Sequence, residues 1–372
     1  MTRAARPWLW PLVPAYRLAL GLREVQLRMG LKPVRRLRRP VVSVGNLSAG
    51  GAGKTPLVIA LAKALAARGV HVDVLSRGYG RRSAVPLLVD MSGTAEEFGD
   101  EPLVIAREAL VPVYVAAQRY EAGMLAERDT TREQGSEGAR EQGSGSASQR
   151  VGVHLLDDGF QHRQLHRDVD ILLLSSEDLS DHLLPAGNLR EALHAAERAN
   201  VIAIPADEPE VAEWMQARSW KGTVWHVRRS MDVPRIDGPV VAFCGIARPE
   251  QFFEGLESAG LDRAGLHVAA RFAFPDHHKY TTNDLERITS AAQKAGAAAL
   301  LTTEKDRVRL SAMAASLPAS LPLRTVPLRM EIEDDAGAVD WLIRTLRDTA
   351  EQSFNDVRRA IPFPIGQAEN RS

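Results

Sequence analysis

The sequence predicts an α/β protein: a parallel sheet flanked by helices, followed by a second, smaller α/β unit. From residue 40 onward short apolar runs alternate with helical stretches, a rhythm that builds parallel sheets because each crossover needs a covering helix. A glycine-rich turn sits between the first strand and the first helix of that rhythm. The rhythm breaks near residues 225–238, where Pro234, Asp237, Gly238 and Pro239 disfavour regular structure, and then begins again. At 372 residues the chain exceeds what one core usually organises, in keeping with two units.

Each element has its own signal. "VVSV" is the first strand; "TPLVIALAKALAARG" carries Leu57, Leu61 and Leu65 at helical spacing and stops at Gly69. "VHVDVL" alternates as a strand, and "VPVYVA", "VGVHLLDD", "VDILLL" and "VIAIP" supply further strands. Beyond the break come "PVVAFCG", a helix from about Pro249 to Gly260, "LHVAARF", a helix around 283–295, and "AALLTT". The chain therefore divides into an N-terminal region (1–30), a phosphate-loop domain (31–224), a linker (225–238), a second domain (239–350) and a flexible polar tail (351–372). Residues 127–150 contain no aliphatic side chain larger than Ala, too little apolar area to offset ordering, and read as a mobile, disordered insertion.

Composition excludes some functions. Basic and acidic residues balance at 47 each, which leaves no global electrostatic footprint for nucleic acid. The single cysteine, Cys244, lies in an apolar strand, so there is no disulfide framework and a reducing compartment fits. At the N-terminus, "RPWLWPLVPAYRLALGLREVQLRMG" mixes tryptophans, a tyrosine and leucines with arginines, the composition of a lipid–water boundary. A spanning helix needs roughly 20 apolar residues, and Arg17 interrupts this stretch, as it would the core of a secretory signal. The segment is expected to lie on a membrane without crossing it.

The turn "GNLSAGGAGKTP" collects backbone N–H groups and a helix N-terminus at one point, which makes an anion site of Ser48, Ala49, Gly50, Gly51, Ala52, Gly53, Lys54 and Thr55. Lys54 is suited to the β and γ phosphates of a nucleotide and the Thr55 hydroxyl to Mg²⁺. Ser48 stands where the strict phosphate-loop pattern has Gly. The strand "VGVHLLDD" ends in Asp157 and Asp158, where a metal-binding acid belongs, one facing the metal and the other the acceptor. ATPases, GTPases and kinases share these parts. A kinase also needs a group to prepare the acceptor hydroxyl; Asp100 and Glu101 at a helix start, and Asp276, His277 and His278 in the second unit, are candidates.

Taken in order, "GNLSAGGAGKTP", "LSRGYGRR", "GDEP", "LLDDGFQHR", "LPAGNLRE", "FPDHHKY" and "LLTTEKDRVRL" resemble the tetraacyldisaccharide 4'-kinase family of lipid A biosynthesis, over nearly all of residues 10–345. The resemblance implies a P-loop kinase-type parallel-sheet domain and a smaller α/β/α domain joined by a short β linker. It also implies a membrane-associated enzyme using ATP and Mg²⁺ to phosphorylate the 4'-hydroxyl of a lipid A disaccharide precursor at the cytoplasmic leaflet of the inner membrane. Carried over by motif, Asp100 becomes the base, His277 its partner, and Lys54 and Asp158 further catalytic groups. Thr55, Glu101, Asp157 and Gln161 surround the metal. Arg190 and Glu191 line the nucleotide or substrate cleft, with Ala192 standing where the family often has Pro, and Arg77 contacts phosphate. Competing readings are a P-loop GTPase-type switch or metal-insertion accessory protein, since the Asp after Lys in "TTEKD" can read a guanine base, and a membrane-attached interaction protein with a degenerate nucleotide site.

Overall fold

The computed structural model describes residues 6–51, 53–137, 152–262 and 266–360. After a 3-10 turn (Pro7–Leu12) and α1 (Val13–Arg28), the chain builds β1 (Val41–Asn46), α2 (Lys54–Ala67), β2 (His71–Ser76), β3 (Leu87–Leu88), α3 (Ala95–Phe98), α4 (Asp100–Ala109), β4 (Val113–Val115), α5 (Arg119–Glu137), β5 (Gly152–Asp157), β6 (Val169–Leu173), α6 (Ser176–Ser180), β7 (Val201–Pro205), α7 (Pro209–Ala217) and β8 (Thr223–Met231). There follow β9 (Gly238–Cys244), α8 (Pro249–Asp262), β10 (Leu266–Ala273), α9 (Thr282–Lys294), β11 (Ala299–Thr303), α10 (Glu304–Leu310), β12 (Leu323–Val326), β13 (Leu328–Ile332) and α11 (Asp335–Ala360).

The large sheet has the order β13-β8-β7-β6-β1-β5-β2-β4-β3, parallel except for its antiparallel edges β3 and β13. The small sheet, β10-β9-β11-β12, is parallel throughout. Both faces of the large sheet are covered, which is why its strands are continuous apolar runs. Ile171 and Leu173 of β6 join Leu57, Leu103 and Leu342 beneath α2, α4 and α11, while Leu172 points to the opposite core with Val13, Leu47, Phe160 and Ile202. The alternation follows from the two-residue period of a strand. Cys244 is buried in β9 as expected.

Three boundaries differ from the sequence reading. The first half of the expected linker is β8, whose partner β13 brings the chain back from the small sheet to the edge of the large one. The second unit thus ends at β12, and α11 packs on α2 of the first. Periodicity could not reveal this, because β8, one strand in from the edge, buries few of its residues and reads as polar. Residues 127–137, expected to be mobile, continue α5. Glu127 explains part of this: it is buried, and its Oε1 accepts from the N–H groups of Arg38 (2.6 Å) and Arg39 (3.0 Å) and lies 3.6 Å from His154 Nε2. Residues 138–150 of the insertion lie outside the described residues. Likewise α11 runs ten residues into the expected flexible tail, to Ala360, and the remainder, 361–372, lies outside the described residues.

Candidate active site

The phosphate loop leaves β1 in the middle of the sheet and enters α2, the place where an α/β sheet opens a crevice at its carboxyl edge. Gly50 (φ 99°) and Gly53 (φ 85°) occupy the left-handed region. At Gly53 a Cβ would also come within 2.6 Å of the Met330 methyl, which would have to move aside, so the left-handed backbone is what most favours Gly there. Ser48 is not in that region: it is fully buried, its Oγ accepts from Asn46 Nδ2 at 3.0 Å, and its backbone bridges to Leu189. The departure from the strict pattern is therefore a strut that fixes the loop's entrance. Ala52 lies outside the described residues. Asn46, which the sequence reading passed over, holds Lys54 Nζ at 2.9 Å through its Oδ1.

Asp157 and Asp158 divide as expected for neighbouring residues at a strand end. Asp157 is buried, and its Oδ1 has no hydrogen-bond partner among the described residues. Burial, then the charges of Glu101 and Asp158, push its pKa up to about 7. Asp158 adopts φ 51°, a conformation Asp tolerates, which turns its side chain toward cations. It lies 3.5 Å from Lys54 Nζ and accepts from Arg190 at 2.8 and 2.9 Å; burial opposes its ionisation, but Lys54 and Arg190 overcome this and lower its pKa. Gln161 braces the same corner: its Nε2 donates to Asn46 O at 2.9 Å, and its Oε1 accepts from Arg190 at 3.3 Å. This side chain, expected at the metal, is thus a strut in the structure. Glu191 points elsewhere, pairing with Arg198 at 2.8 Å. Arg77 is exposed just beyond β2, and its charge is felt at Arg119 and His162.

Asp100 and Glu101 open α4 and face α10 of the second unit. Asp100 is 5% exposed. Its Oδ2 accepts from Arg309 Nε (2.8 Å) and Nη2 and lies 3.2 Å from His277 Nδ1, while its Oδ1 accepts from Glu101 N–H at 2.9 Å. Burial raises the carboxyl pKa, but the His277 hydrogen bond and the charges of Arg309 and Lys305 outweigh it and hold the group well below the usual carboxylate range. The hydrogen bond to Asp100 raises the His277 pKa against burial. The imidazole packs against Tyr79 in a tilted arrangement, ring centroids 5.1 Å apart. Lys305 Nζ donates to Glu101 at 2.5 Å, and its charge is the main cause of that carboxyl's lowered pKa.

Lys305 and Arg309, one helical turn apart in "EKDRVRL", were visible in the sequence but had no assigned partner. Only the packing of α10 on α4 supplies one. His278 turns away, bonding Asp284 at 3.0 Å and stacking on Phe274. Asp306, the proposed reader of guanine, is fully buried and accepts from Gly245 N–H and the Thr303 hydroxyl. It is an internal helix cap with no edge to offer a base, so the GTPase reading loses its one specific residue.

A cavity of about 450 Å³ flanks the phosphate loop on the side away from Asp157. It lies beyond the ends of β6, β7 and β8 and is lined among others by Asp207, Arg229, Arg248 and Met330; Met330 and Arg229 also crowd Gly53. On the other side α1 borders the site: Tyr16 donates to Arg190 O at 2.9 Å, and Arg23 donates to Gln161 O.

An apolar strand, a glycine loop carrying Lys54-Thr55, strand-end acids and a carboxylate–imidazole pair that joins the first unit to the second define a P-loop phosphotransferase. Comparison with known proteins makes the assignment particular. A model of the family "Tetraacyldisaccharide-1-P 4'-kinase" matches residues 5–347. The tetraacyldisaccharide 4'-kinase of Koribacter versatilis is 38% identical over 346 residues, covering 90% of this chain and 98% of that one. That of Anaeromyxobacter sp. is 36% identical, covering 87% and 86%. The structure of LpxK from Aquifex aeolicus in complex with ATP superposes with a TM-score of 0.66 at 29% identity, over 92% of this chain and 99% of that one. The chain belongs to the tetraacyldisaccharide-1-P 4'-kinase family.

Proposed function

We propose that the protein transfers the γ-phosphoryl group of ATP to the 4'-hydroxyl of a tetraacyldisaccharide 1-phosphate, a lipid A precursor, at the cytoplasmic leaflet of the inner membrane. The observation that carries this reading is the meeting of the phosphate loop with the Asp100–His277 pair. Glu101 is the link: it is within electrostatic reach of Lys54 of the loop, of Asp157, of Asp100 and of Lys305 of the second unit.

The loop N–H groups and Lys54 bind and orient the β and γ phosphates, and the adjoining cavity receives the nucleoside. Released from Lys54, Asp158 keeps Arg190 in place beside the transferred group. The Thr55 hydroxyl with Asp157 and Glu101 would hold Mg²⁺. Their fit is supported by Asp157 Oδ1, which has no partner among the described residues, and by neighbouring carboxylates that, after burial, raise the Asp157 pKa. No ready-made cage of three or more acids or histidines occurs among the described residues, in keeping with a cation that keeps waters and phosphate oxygens as ligands. When bound, Mg²⁺ supplies neutralisation of phosphate charge.

Asp100 Oδ1, which accepts only the Glu101 N–H among the described residues, takes the proton of the acceptor hydroxyl. His277 fixes the carboxylate through Oδ2. A weak carboxylate base suffices, because a loose transition state asks more for positioning than for proton removal.

A four-chain lipid does not leave a bilayer, since each buried CH₂ is worth about 0.8 kcal/mol, so the enzyme must reach it there. Trp8, Trp10, Leu12, Leu18, Leu22 and Met29 are all exposed on the N-terminal turn and α1, interspersed with Arg17 and Arg28. Among the described residues no helix is long and apolar enough to cross a membrane. This face suits insertion into the headgroup region of an anionic leaflet, with the active site at its border. Incubation with ATP, Mg²⁺ and a detergent-dispersed tetraacyldisaccharide 1-phosphate should yield the bisphosphorylated lipid. Nucleotide hydrolysis with no lipid product would defeat the proposal.

A further inference from the structure

We propose that Lys305 is a mobile counter-ion supplied by the second unit: it neutralises Glu101 before Mg²⁺ binds and, once that carboxylate is taken, turns to the phosphoryl group in transfer. The inference rests on the kinase reading above and adds a catalytic residue to it.

Lys305 is the second residue of α10, a helix that follows directly on β11 and packs on α4. The dipole disfavours a cation in the first turn of a helix, so this position calls for a compensating anion. Glu101 of the other unit supplies it: the 2.5 Å contact from Nζ to Oε1 is the one hydrogen bond Lys305 makes among the described residues. The ammonium is also within electrostatic reach of Asp100 and Asp157. It therefore serves the carboxylates to which the metal is assigned. Joining the two units does not require it. Arg309, one turn further along α10, already grips Asp100 through two nitrogens and keeps Asp306 and the Gly245 carbonyl. A partly exposed ion pair adds little to stability beyond that.

The two side chains differ in freedom. That of Arg309 is 7% exposed and held by several partners, whereas that of Lys305 is 28% exposed, flexible and held by one. A divalent cation displaces an ammonium from a carboxylate, since its attraction at equal distance is about doubled. Lys54 acts on Glu101 from the phosphate loop and Lys305 acts on it from α10, so two ammonium groups flank the gap between the loop and Asp100. In-line transfer takes the phosphoryl group through this gap, because the donor's phosphates lie at the loop and the acceptor hydroxyl at Asp100. Released from Glu101, Nζ faces the phosphoryl oxygens. It forms and breaks no covalent bond: the P–O bond to ADP breaks, the bond to the acceptor oxygen forms, the hydroxyl proton passes to Asp100, and Lys305 keeps its three protons while stabilising the charge on the transferred group. A cation that arrives with the second unit acts only when the units are together, which disfavours transfer to water.

The test uses the whole protein, Lys305→Met and Lys305→Arg. Calorimetric titration of the nucleotide-free protein with Mg²⁺ reads the competition: Lys305→Met should bind the ion about fivefold more tightly than wild type, since no ammonium has to leave Glu101. Kinase assays read the second role. Lys305→Met should lower kcat about 10²-fold, as loss of one stabilising donor does, with the KM for ATP within a few-fold, and Lys305→Arg should regain most of that turnover. Mg²⁺ binding unchanged or weakened in Lys305→Met would make Lys305 a structural tie, and kcat within a few-fold of wild type would remove it from the chemistry; either result overturns the proposal. Should Lys305→Met fail to fold, wild type decides through acylation of Lys305 by a neutral amine reagent, read by peptide mass spectrometry. Mg²⁺ alone should speed the labelling and a non-hydrolysable ATP analogue added with it should slow it again; labelling indifferent to Mg²⁺ overturns the proposal. Wild type that phosphorylates no lipid would overturn the kinase reading and this phosphoryl role with it, whereas the Mg²⁺ titration needs no acceptor and judges the counter-ion role by itself.

Discussion

Asp100→Asn isolates the base from its surroundings, because the amide keeps the shape and loses the charge. In the folded protein Asp100 Oδ2 receives the Arg309 fork and the His277 ring, two charge-assisted interactions with a nearly buried carboxylate. Such bonds contribute about 1.5–3 kcal/mol each, and an amide oxygen retains part of both. Arg309 also keeps Asp306 at 3.0 Å and the Gly245 carbonyl, so it is not stranded. The expected loss of stability is about 2–3 kcal/mol. Turnover should fall about 10²–10⁴-fold, the usual contribution of a positioned base, while ATP affinity, set at the phosphate loop, changes little. Because Asp100 is the leading cause of the raised His277 pKa, the substitution should lower that pKa, and titration of the imidazole by NMR reads it without any substrate. The linkage follows in sign. A histidine raised in the folded state stabilises below its unfolded pKa, and that stability fades as pH rises through the folded value. Asp100→Asn should flatten this part of the pH–stability curve. Turnover within a few-fold of wild type, or an unmoved His277 titration, would refute the role given to the pair.

Lys54→Met should weaken ATP binding and nearly abolish turnover by removing the cation that Asn46 and Asp158 position, as calorimetry and a kinase assay would reveal. Replacing Trp8, Leu18 and Leu22 together by Ser should shift the protein from anionic vesicles to the supernatant in a sedimentation assay with little change in its melting curve, since all three are exposed. Burial and the hydrogen bond and charge of Glu108 push the Glu304 pKa up to about 8. Unfolding is therefore increasingly favoured as pH rises from the ordinary Glu range to about 8, and Glu304→Gln should gain stability over wild type across that interval in urea titrations at pH 5 and pH 8.

The sequence alone determined the parallel strands, the phosphate loop and the two acids after β5, because each depends on local chemistry: apolar runs, glycines where φ is positive, and carboxylates at a strand end. It also marked Asp100 and His277 through their motifs, and the N-terminal amphipathic face through its tryptophans and arginines. Tertiary structure decided what those groups face. Asp158 is drawn to Lys54 and Arg190 while one oxygen of Asp157 meets no donor among the described residues, a division set by the left-handed conformation of Asp158 and invisible in the letters "DD". The pairing of Lys305 and Arg309 with Glu101 and Asp100 spans more than two hundred positions and exists only because α10 packs on α4. The return of β13 to the first sheet was likewise hidden, since a half-exposed edge strand gets its register from its neighbour and not from its own hydrophobicity.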